Sequence, residues 1–339
     1  MFRPLRRTLT LIAAAAALLA GRAMAADAKA DAPAGETVAK KKVVFYAGGP
    51  SHRYGEHDHK SGCYLLAKRI NQVPGFEATV YYKDWPEAKA FDGASAVVMY
   101  CDGGNGHPAL KHLKELQALH DKGVGIGCIH YAVEPGDENK KDGSNGRAEF
   151  LDWIGGYFET FYSINPHWDG HFEKFPQHPA ASGVHPFSTN DEWYYHMRFR
   201  DNMEGVTPVL SAVPPDSTRK GKDEAHGGNP HIREGAGKNL PETTVWVSQN
   251  KNGSRGFGCT GAHFHWNWAQ DDFRKAILNS IVWIAKGDVP AGGVESSRPT
   301  MDELMANEDE QVPGNFDKAK IEKQIEEMNK PQATAKADK

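Results

Sequence analysis

The chain has 339 residues, a formal net charge of −4 and 16 histidines. This length suits one large domain or a domain plus a tail, and the slightly acidic balance disfavours nucleic acid or an anionic membrane surface as a partner. The four cysteines, at positions 63, 101, 128 and 259, form no CxxC pair, which excludes a zinc ribbon. They lie mostly in apolar runs, so free buried thiols are favoured over disulfides.

The first 25 residues have the pattern of an export signal. Arg3, Arg6 and Arg7 precede the apolar run Leu9–Ala20, which ends at a small-x-small cleavage site, Ala23-Met24-Ala25. We predict a signal peptide cleaved after Ala25, and hence a periplasmic or secreted protein. The 12-residue apolar run is too short for a lasting bilayer anchor, and we expect no membrane insertion. Residues 26–40 are predicted to be a disordered leader.

The next part of the chain alternates between strand and helix patterns. Strands are predicted at residues 42–48, 76–82, 94–101 and 124–129, with helices at 63–70 and 110–122. The helix at 110–122 has leucines at 110, 113, 116 and 119, which is the spacing of one helix face. The order β-α-β-β-α-β predicts an α/β fold with a parallel-core sheet.

The second half continues this pattern with longer irregular stretches. A helix is predicted at 148–158, strands at 191–199 and 206–213, a hairpin of strands at 243–248 and 256–261, and a closing amphipathic helix at 271–285. The Gly- and Pro-containing segment 214–241 is predicted to be a loop over the site. Residues 288–339 are polar and charged, and we expect a disordered tail.

Polar side chains follow four of the predicted strands. They are His52, His57 and His59 after the first, Asp102 after the third, His130 and Tyr131 after the fourth, and His263 and His265 after the last. Ligands of open parallel sheets bind beyond the carboxyl ends of the strands. We therefore expect a site at this edge.

Three kinds of chemistry remain open for that site. Imidazoles and carboxylates could hold a divalent metal ion, and the HxH pairs at 57/59 and 263/265 could chelate it if they lie on strands. Cys128 could be a nucleophile near a strand-to-helix turn, although the following glycine of a G-x-C-x-G elbow is missing and a buried, inert thiol is favoured. His130 could act as an acid or base with Asp191 or Glu192. Tryptophan faces beside these groups could hold sugar rings.

Several motifs in this order resemble those of the ThuA-like (trehalose utilisation) family, over residues 41–287. They are Ser51-His52, the turn Gly127–Ala132, His167-Trp168, His178-Pro179, Asp191-Glu192-x-Tyr194, the stretch Gly256–His263, and Trp283 in the closing helix. The extended segment Trp193–Arg198 is similar to the exported branch of that family.

The resemblance implies a flavodoxin-like, class I glutamine-amidotransferase-like fold with helices on both faces of the sheet. It also implies carbohydrate catabolism through 3-keto sugars, with sugar dehydrogenases of the same pathway as partners. His130 rather than a cysteine occupies the elbow region, so the glutamine thioester mechanism is not implied.

We expect an enzyme that acts on (3-keto) disaccharides or glycosides by hydrolysis, elimination or isomerisation. The alternatives are a non-catalytic carbohydrate-binding accessory protein and a metal-dependent hydrolase of another substrate. The expected catalytic residues are His130, Glu192 and Asp102, and the metal ligands, for a divalent ion, are His52 and His263. The residues expected to bind substrate are Tyr131, His167, Trp168 and Tyr194.

Overall fold

The computed structural model describes residues 39–139 and 145–331. The predicted signal peptide and most of the predicted leader lie outside the described residues. Within the described ranges, no helix is long and apolar enough to cross a membrane.

A seven-stranded sheet forms the centre of the fold, in the order β2-β1-β3-β4-β11-β10-β9. Its strands are β1 (Lys41–Ala47), β2 (Phe76–Tyr82), β3 (Ala94–Tyr100), β4 (Gly125–Ile129), β9 (Val206–Ala212), β10 (Glu242–Gln249) and β11 (Arg255–Cys259). The first four strands and β11 are parallel, whereas β10 runs antiparallel to both of its neighbours. Two small antiparallel pairs lie outside this sheet: β5 (Gly156–Tyr157) with β8 (Arg198–Phe199), and β6 (Trp168–Phe172) with β7 (Phe187–Asp191).

Helices cover both faces of the sheet. They are α1 (His59–Ile70), α2 (Leu113–Asp121), α3 (Arg147–Ile154), α4 (Pro230–Glu234), α5 (Asp271–Ile284), α6 (Met301–Leu304) and α7 (Lys318–Met328). Successive side chains of a strand point to opposite faces, so Val43 and Phe45 join the core under α1 and α5, while Val44 joins the core under α2 and α3. Burial on both faces explains why the central strands are continuous apolar runs. This arrangement confirms the predicted α/β class with a parallel-core sheet, and it is consistent with a flavodoxin-like, amidotransferase-like fold.

Close packing explains glycines within the strands. A Cβ atom at Gly127 of β4 would lie 2.1 Å from the ring of Phe257 on the neighbouring strand. A Cβ atom at Gly125 would lie 2.4 Å from the backbone oxygen of Ile284 at the end of α5. Neither position has room for a side chain.

The prediction of a strand at 191–199 is wrong for most of its length. Residue 191 ends β7, residues 198–199 form β8, and the residues between them form loops that approach the carboxyl edge of the sheet. The strand β6 was not predicted. Its alternation of buried and exposed residues is present in the sequence, but glycine and histidine occupy the central positions.

The segment from 288 to 331 packs against the domain, in contrast to the expected disordered tail. Leu304 is completely buried, and Ile325 and Met301 are nearly so. A capping box between Thr300 and Glu303 begins α6. Glu303 also accepts hydrogen bonds from the buried guanidinium of Arg69 on α1. The few apolar residues of this polar segment are therefore placed where they reach the core.

Candidate active site and metal centre

Four side chains converge where β4 and β11 end. His57 comes from the loop after β1, His130 from the turn after β4, Glu192 from the residue after β7, and His263 from the turn after β11. One ligand atom from each lies within 4.8 Å of those of the other three. We call these four residues the tetrad. The sequence placed all four at this edge of the sheet, with His57 among the residues after the first strand and in an HxH pair, but without a committed catalytic or ligand role for His57.

The distances within the tetrad are short for groups of this kind. The Nε2 atoms of His57 and His130 lie 2.9 Å apart. Glu192 Oε2 lies 3.4 Å from His130 Nε2 and 3.1 Å from His263 Nδ1. His263 Nδ1 nevertheless has no partner with the geometry of a hydrogen bond. The proximity brings three ring nitrogens and a carboxylate oxygen to one point, which is a ligand set typical of Zn²⁺ and similar ions.

The neighbours of His57 and His130 determine which ring nitrogen of each residue carries the hydrogen. His130 Nδ1 lies 2.8 Å from the carbonyl oxygen of Thr260, and His57 Nδ1 lies 3.0 Å from Asp102 Oδ1. Both partners can only accept, so both Nδ1 atoms donate and both Nε2 atoms present lone pairs. Two lone pairs at 2.9 Å repel each other unless a proton or a metal ion is shared between the two nitrogens. The hydroxyl of Tyr194, 3.2 Å from His130 Nε2, can donate to only one of the two.

A buried carboxylate sets the position of His263. Asp191 is completely buried and accepts hydrogen bonds from the backbone N–H groups of Ala262, His263 and Phe264. This connection holds the turn after β11 against the residue that precedes Glu192. The two residues of the motif Asp191-Glu192 therefore have different roles. Asp191 fixes the turn after β11, and Glu192 reaches the site.

Three residues at the site have a left-handed backbone. The φ angles are 50° at His57, 57° at His130 and 81° at Ala262. None of them is glycine, so each conformation carries strain of about 1–3 kcal/mol. Such strain persists where the surrounding contacts enforce it, and it accumulates at functional sites.

Nearby charges and burial shift the pKa values of the tetrad residues. Burial lowers the pKa of His57 to about 2, although its hydrogen bond to Asp102 acts in the opposite direction. Burial opposes the ionisation of Glu192, but its contacts with His130 and His263 outweigh burial and hold its pKa well below the usual range. The pKa of His263 is raised, because Glu192 and other nearby acids outweigh the effect of its burial. The tetrad therefore holds an ionised carboxylate beside a neutral His57 near pH 7, as a metal site requires.

Asp102 and His52 form a second layer towards solvent. Asp102 Oδ1 accepts from the Ser51 hydroxyl at 2.8 Å as well as from His57. His52 is exposed, and its ring centre lies 3.7 Å from that of His57. Its Nδ1 atom lies 2.9 Å from Ser51 Oγ. The structure therefore places Asp102 behind a tetrad histidine and His52 at the mouth of the site.

Of the four residues expected to bind substrate, three lie at the site. Tyr194 contacts His130, the ring of Tyr131 lies 6.2 Å from that of His57, and the half-exposed His167 lies 3.8 Å from Glu192. Trp168 does not lie at the site, and the prediction that it binds substrate is wrong. Its indole is buried and donates to the carbonyl oxygen of Trp193, because the alternation of β6 turns it into the core.

The HxH pairs do not chelate as pairs. His57 and His59 both approach Asp102, but His59 begins α1 and its Nδ1 atom bonds to the Gly49 carbonyl oxygen. His265 lies on a 3-10 turn and directs its Nε2 atom to the carbonyl oxygen of Leu304, away from Glu192. The expectation required extended backbone at both pairs, which neither has.

Sequence reasoning missed a pair beside the tetrad, formed by the buried Glu134 and the partly exposed His226. Glu134 Oε2 lies 2.9 Å from His226 Nε2, and the His226 ring lies 6.2 Å from that of Tyr131. His226 belongs to the segment 214–241, which was predicted to cover the site. No local pattern links two residues so far apart, although an isolated histidine in a polar loop was a possible signal.

Cys128 takes no part in the site. It is completely buried in β4, and burial raises the pKa of its thiol well above the usual range. The four cysteines of the described residues are all buried single thiols. The favoured interpretation of Cys128 as an inert residue agrees with this burial.

Comparisons with known proteins agree with this architecture. Residues 42–284 match the family model of ThuA, described as trehalose utilisation. A solved ThuA-like protein from Bacteroides uniformis is 17% identical with a TM-score of 0.52, over 76% of this chain and 98% of that one. Another, from Parabacteroides merdae, is 14% identical with a TM-score of 0.42, over 77% of this chain and 93% of that one. No curated protein sequence matches the chain.

The likeness to the Bacteroides uniformis structure supports the fold alone. The family match covers most of the domain, including all four residues of the tetrad. The chain belongs to the ThuA (trehalose utilisation) family.

Proposed function

We propose that the protein is an exported enzyme of carbohydrate catabolism, of the amidotransferase-like superfamily. It uses a divalent metal ion to act on 3-keto disaccharides or other glycosides by hydrolysis, elimination or isomerisation. The family description supports the substrate class. The observation that carries the metal is the pair of Nε2 lone pairs 2.9 Å apart, with Glu192 and His263 beside them.

The residues divide into ligands and groups that can reach a substrate. His130 is completely buried and fixed through Thr260, so it suits a ligand better than a base that meets substrate. A bound ion would polarise a carbonyl or hydroxyl oxygen of the sugar. Asp102 and Thr260 keep the ligand histidines in the required tautomer.

His52 is the proposed proton-transfer group. It is exposed at the mouth of the site, directly above His57. A keto group in a sugar makes the neighbouring C–H acidic. If His52 removes that proton, the electrons form a C=C bond and the glycosidic C–O bond breaks, with the leaving oxygen taking up a proton. Tyr131 and His167 would border the sugar.

Export is a separate part of the proposal. It depends on the charged, apolar and small-residue pattern of residues 1–25. In a periplasmic location, sugar dehydrogenases that form 3-keto sugars are the expected partners. Mass determination of the N-terminus after expression in the native type of host would test it, with Ala26 as the expected first residue.

The experiment compares His130→Gln with His52→Gln, using the exposed His185→Gln as the control. We expect His130→Gln to lose one equivalent of metal and all turnover of a 3-keto disaccharide. We expect His52→Gln to keep its metal and lose about 10²–10⁴-fold in turnover. Unchanged metal content in His130→Gln would overturn the metal site.

A non-catalytic accessory protein is the main competing function. It predicts saturable sugar binding with no product, measured by calorimetry and product analysis on the same sugars. In that case the His52→Gln variant would still bind the sugar. A metal-dependent hydrolase of another substrate predicts the metal loss described above with neither sugar binding nor sugar turnover.

A further inference from the structure

A second cluster of polar groups lies where the C-terminal segment crosses the loop after β1. It consists of Asp58, His265 and Glu308, and one ligand atom of each lies within 4.8 Å of the others. Asp58 is 7% exposed, His265 is completely buried, and the side chain of Glu308 is 5% exposed. We call it the tail cluster. Asp58 stands between two site histidines in the sequence, but its side chain serves this separate cluster.

The tail cluster contains an unusual number of polar atoms without partners. In the described ranges, no hydrogen-bond partner is found for Asp58 Oδ2, either carboxylate oxygen of Glu308, the Tyr54 hydroxyl or His265 Nδ1. Buried polar groups are nearly always paired, and each one left unpaired costs free energy. The orphaned oxygens therefore indicate a ligand that binds oxygen.

The charges call for a cation. Two carboxyl groups face each other, and the nearby amine of Lys60 pairs with Asp309 at 3.2 Å instead. A buried pair of carboxylates is tolerated only with a shared proton or a bound cation.

We infer that the tail cluster is a second metal site, which binds a divalent transition-metal ion such as Zn²⁺ through Asp58, Glu308 and His265. Two carboxylates with one imidazole suit Zn²⁺ better than Ca²⁺ or Mg²⁺, which prefer oxygen ligands throughout. His265 Nε2 donates to the carbonyl oxygen of Leu304 at 2.9 Å, so Nδ1, which has no hydrogen-bond partner, is the nitrogen that offers a lone pair to the ion.

The site would have a defined structural effect. Glu308 follows α6, whereas Asp58 precedes α1 and is adjacent to His57 of the tetrad. An ion between them would connect the C-terminal segment to the loop that carries His57. The second site would hold a ligand of the first in place without touching substrate.

The test counts Zn²⁺ per chain by elemental analysis after equilibration with Zn²⁺ alone and removal of excess ion. The variants are Glu308→Gln, His130→Gln and both together, with the exposed Glu310→Gln as the matched control. We expect two equivalents in the unchanged chain and in Glu310→Gln, one in each single variant and none in the double variant. A Zn²⁺ content in Glu308→Gln equal to that of the unchanged chain would overturn the inference. Loss in Glu308→Gln without loss in His130→Gln would support this site and contradict the tetrad site.

Thermal unfolding gives a second readout that does not depend on activity. Glu308→Gln preserves the shape of the side chain and removes one of two facing buried carboxyl groups, so the metal-free variant should fold. In the His130→Gln background, Zn²⁺ should raise Tm, and this rise should disappear when Glu308→Gln is added. Equal rises in the two proteins would mean that Asp58 and Glu308 merely share a proton, and would overturn the second site.

Discussion

Two of the three imidazoles of the tetrad are oriented by a hydrogen bond at the nitrogen that faces away from the site. The carbonyl oxygen of Thr260 fixes His130, and Asp102 fixes His57. Asp102 has a pKa below its usual value, because the hydrogen bond from His57 and the charge of His59 outweigh the opposing effect of its burial. It therefore stays an acceptor near pH 7. The effect of Asp102 on the chemistry is exerted through His57.

Replacement of Asp102 by Asn should weaken metal binding while leaving the fold intact. An amide holds the tautomer of His57 less firmly than a carboxylate, and loss of such a partner typically lowers metal affinity by about 10–100-fold. Competition with a chelator would measure the affinity. The exposed Asp84→Asn, which follows β2 as Asp102 follows β3, is the matched control. Equal affinities in the two variants would contradict the orienting role of Asp102.

Residue types at strand ends predicted more of the site than local spacing did. The topology of a parallel sheet brings Asp102 and His130 to one edge, and this follows from the sequence. The assignment of Trp168 failed because one strand, β6, was missed and the side-chain direction was unknown. The pair of Glu134 and His226 depends on a contact across 92 residues, which no local pattern encodes.

At the scale of elements, the segment 214–241 is attached to the loops around the site by backbone and side-chain hydrogen bonds. The backbone N–H groups of Phe161 and Asn165 donate to the carbonyl oxygens of Ala225 and His226. The hydrogen bond between His226 and Glu134 is its side-chain link to the turn after β4. The ring of His226 lies 6.2 Å from that of Tyr131, so this part of the segment lies beside the site.

Docking of this segment should weaken as pH rises. The hydrogen bond to Glu134 raises the pKa of His226 above 6.5, despite burial, and the charges of Glu134 and Glu192 add to this effect. Burial raises the pKa of Glu134 too, although His226 and Arg147 act in the opposite direction and Asp137 adds to the rise. A raised folded-state pKa of His226 means that its stabilisation is complete below pH 6.5 and is lost as pH rises through the higher value.

Hydrogen exchange of residues 221–229 between pH 6 and pH 8.5 would measure how firmly the segment 214–241 is docked, after correction for the intrinsic pH dependence of exchange. Protection should fall with rising pH in the unchanged protein and should be low and flat in His226→Gln. The exposed His171→Gln, on β6, serves as the control. Protection that falls equally in His226→Gln would show that another group is responsible.

An element could be predicted from the sequence where its structure does not depend on long-range contacts. The strands β1, β3 and β4 are buried on both faces, so their apolar runs identify them without tertiary information. Residues 191–199 have strand-like composition, but Asp191 accepts three backbone hydrogen bonds from a turn about 70 residues later. That contact directs the chain into the site instead of along a strand.

For the molecule as a whole, the C-terminal segment belongs to the fold. Composition predicted disorder because it averages over many charged residues, whereas packing depends on a few positions. Arg69, nearly completely buried on α1, has Glu303 as its charged partner. The hydrogen bonds from Arg69 and Lys68 lower the pKa of Glu303 to about 2. A buried cation on the domain thus depends on a residue of the tail.

Truncation of one tail side chain should therefore destabilise the domain. Leu304 is completely buried against the core, and replacing such a leucine by alanine typically costs about 2–5 kcal/mol through lost burial and the resulting cavity. Val312 is 52% exposed in the same segment, so Val312→Ala should have almost no effect. Urea unfolding of both variants would measure the difference in the free energy of unfolding. If the tail were a separate disordered chain, Leu304→Ala would unfold at the same urea concentration as Val312→Ala. A large difference would mean that residues 300–329 fold with the domain that holds both clusters of ligands.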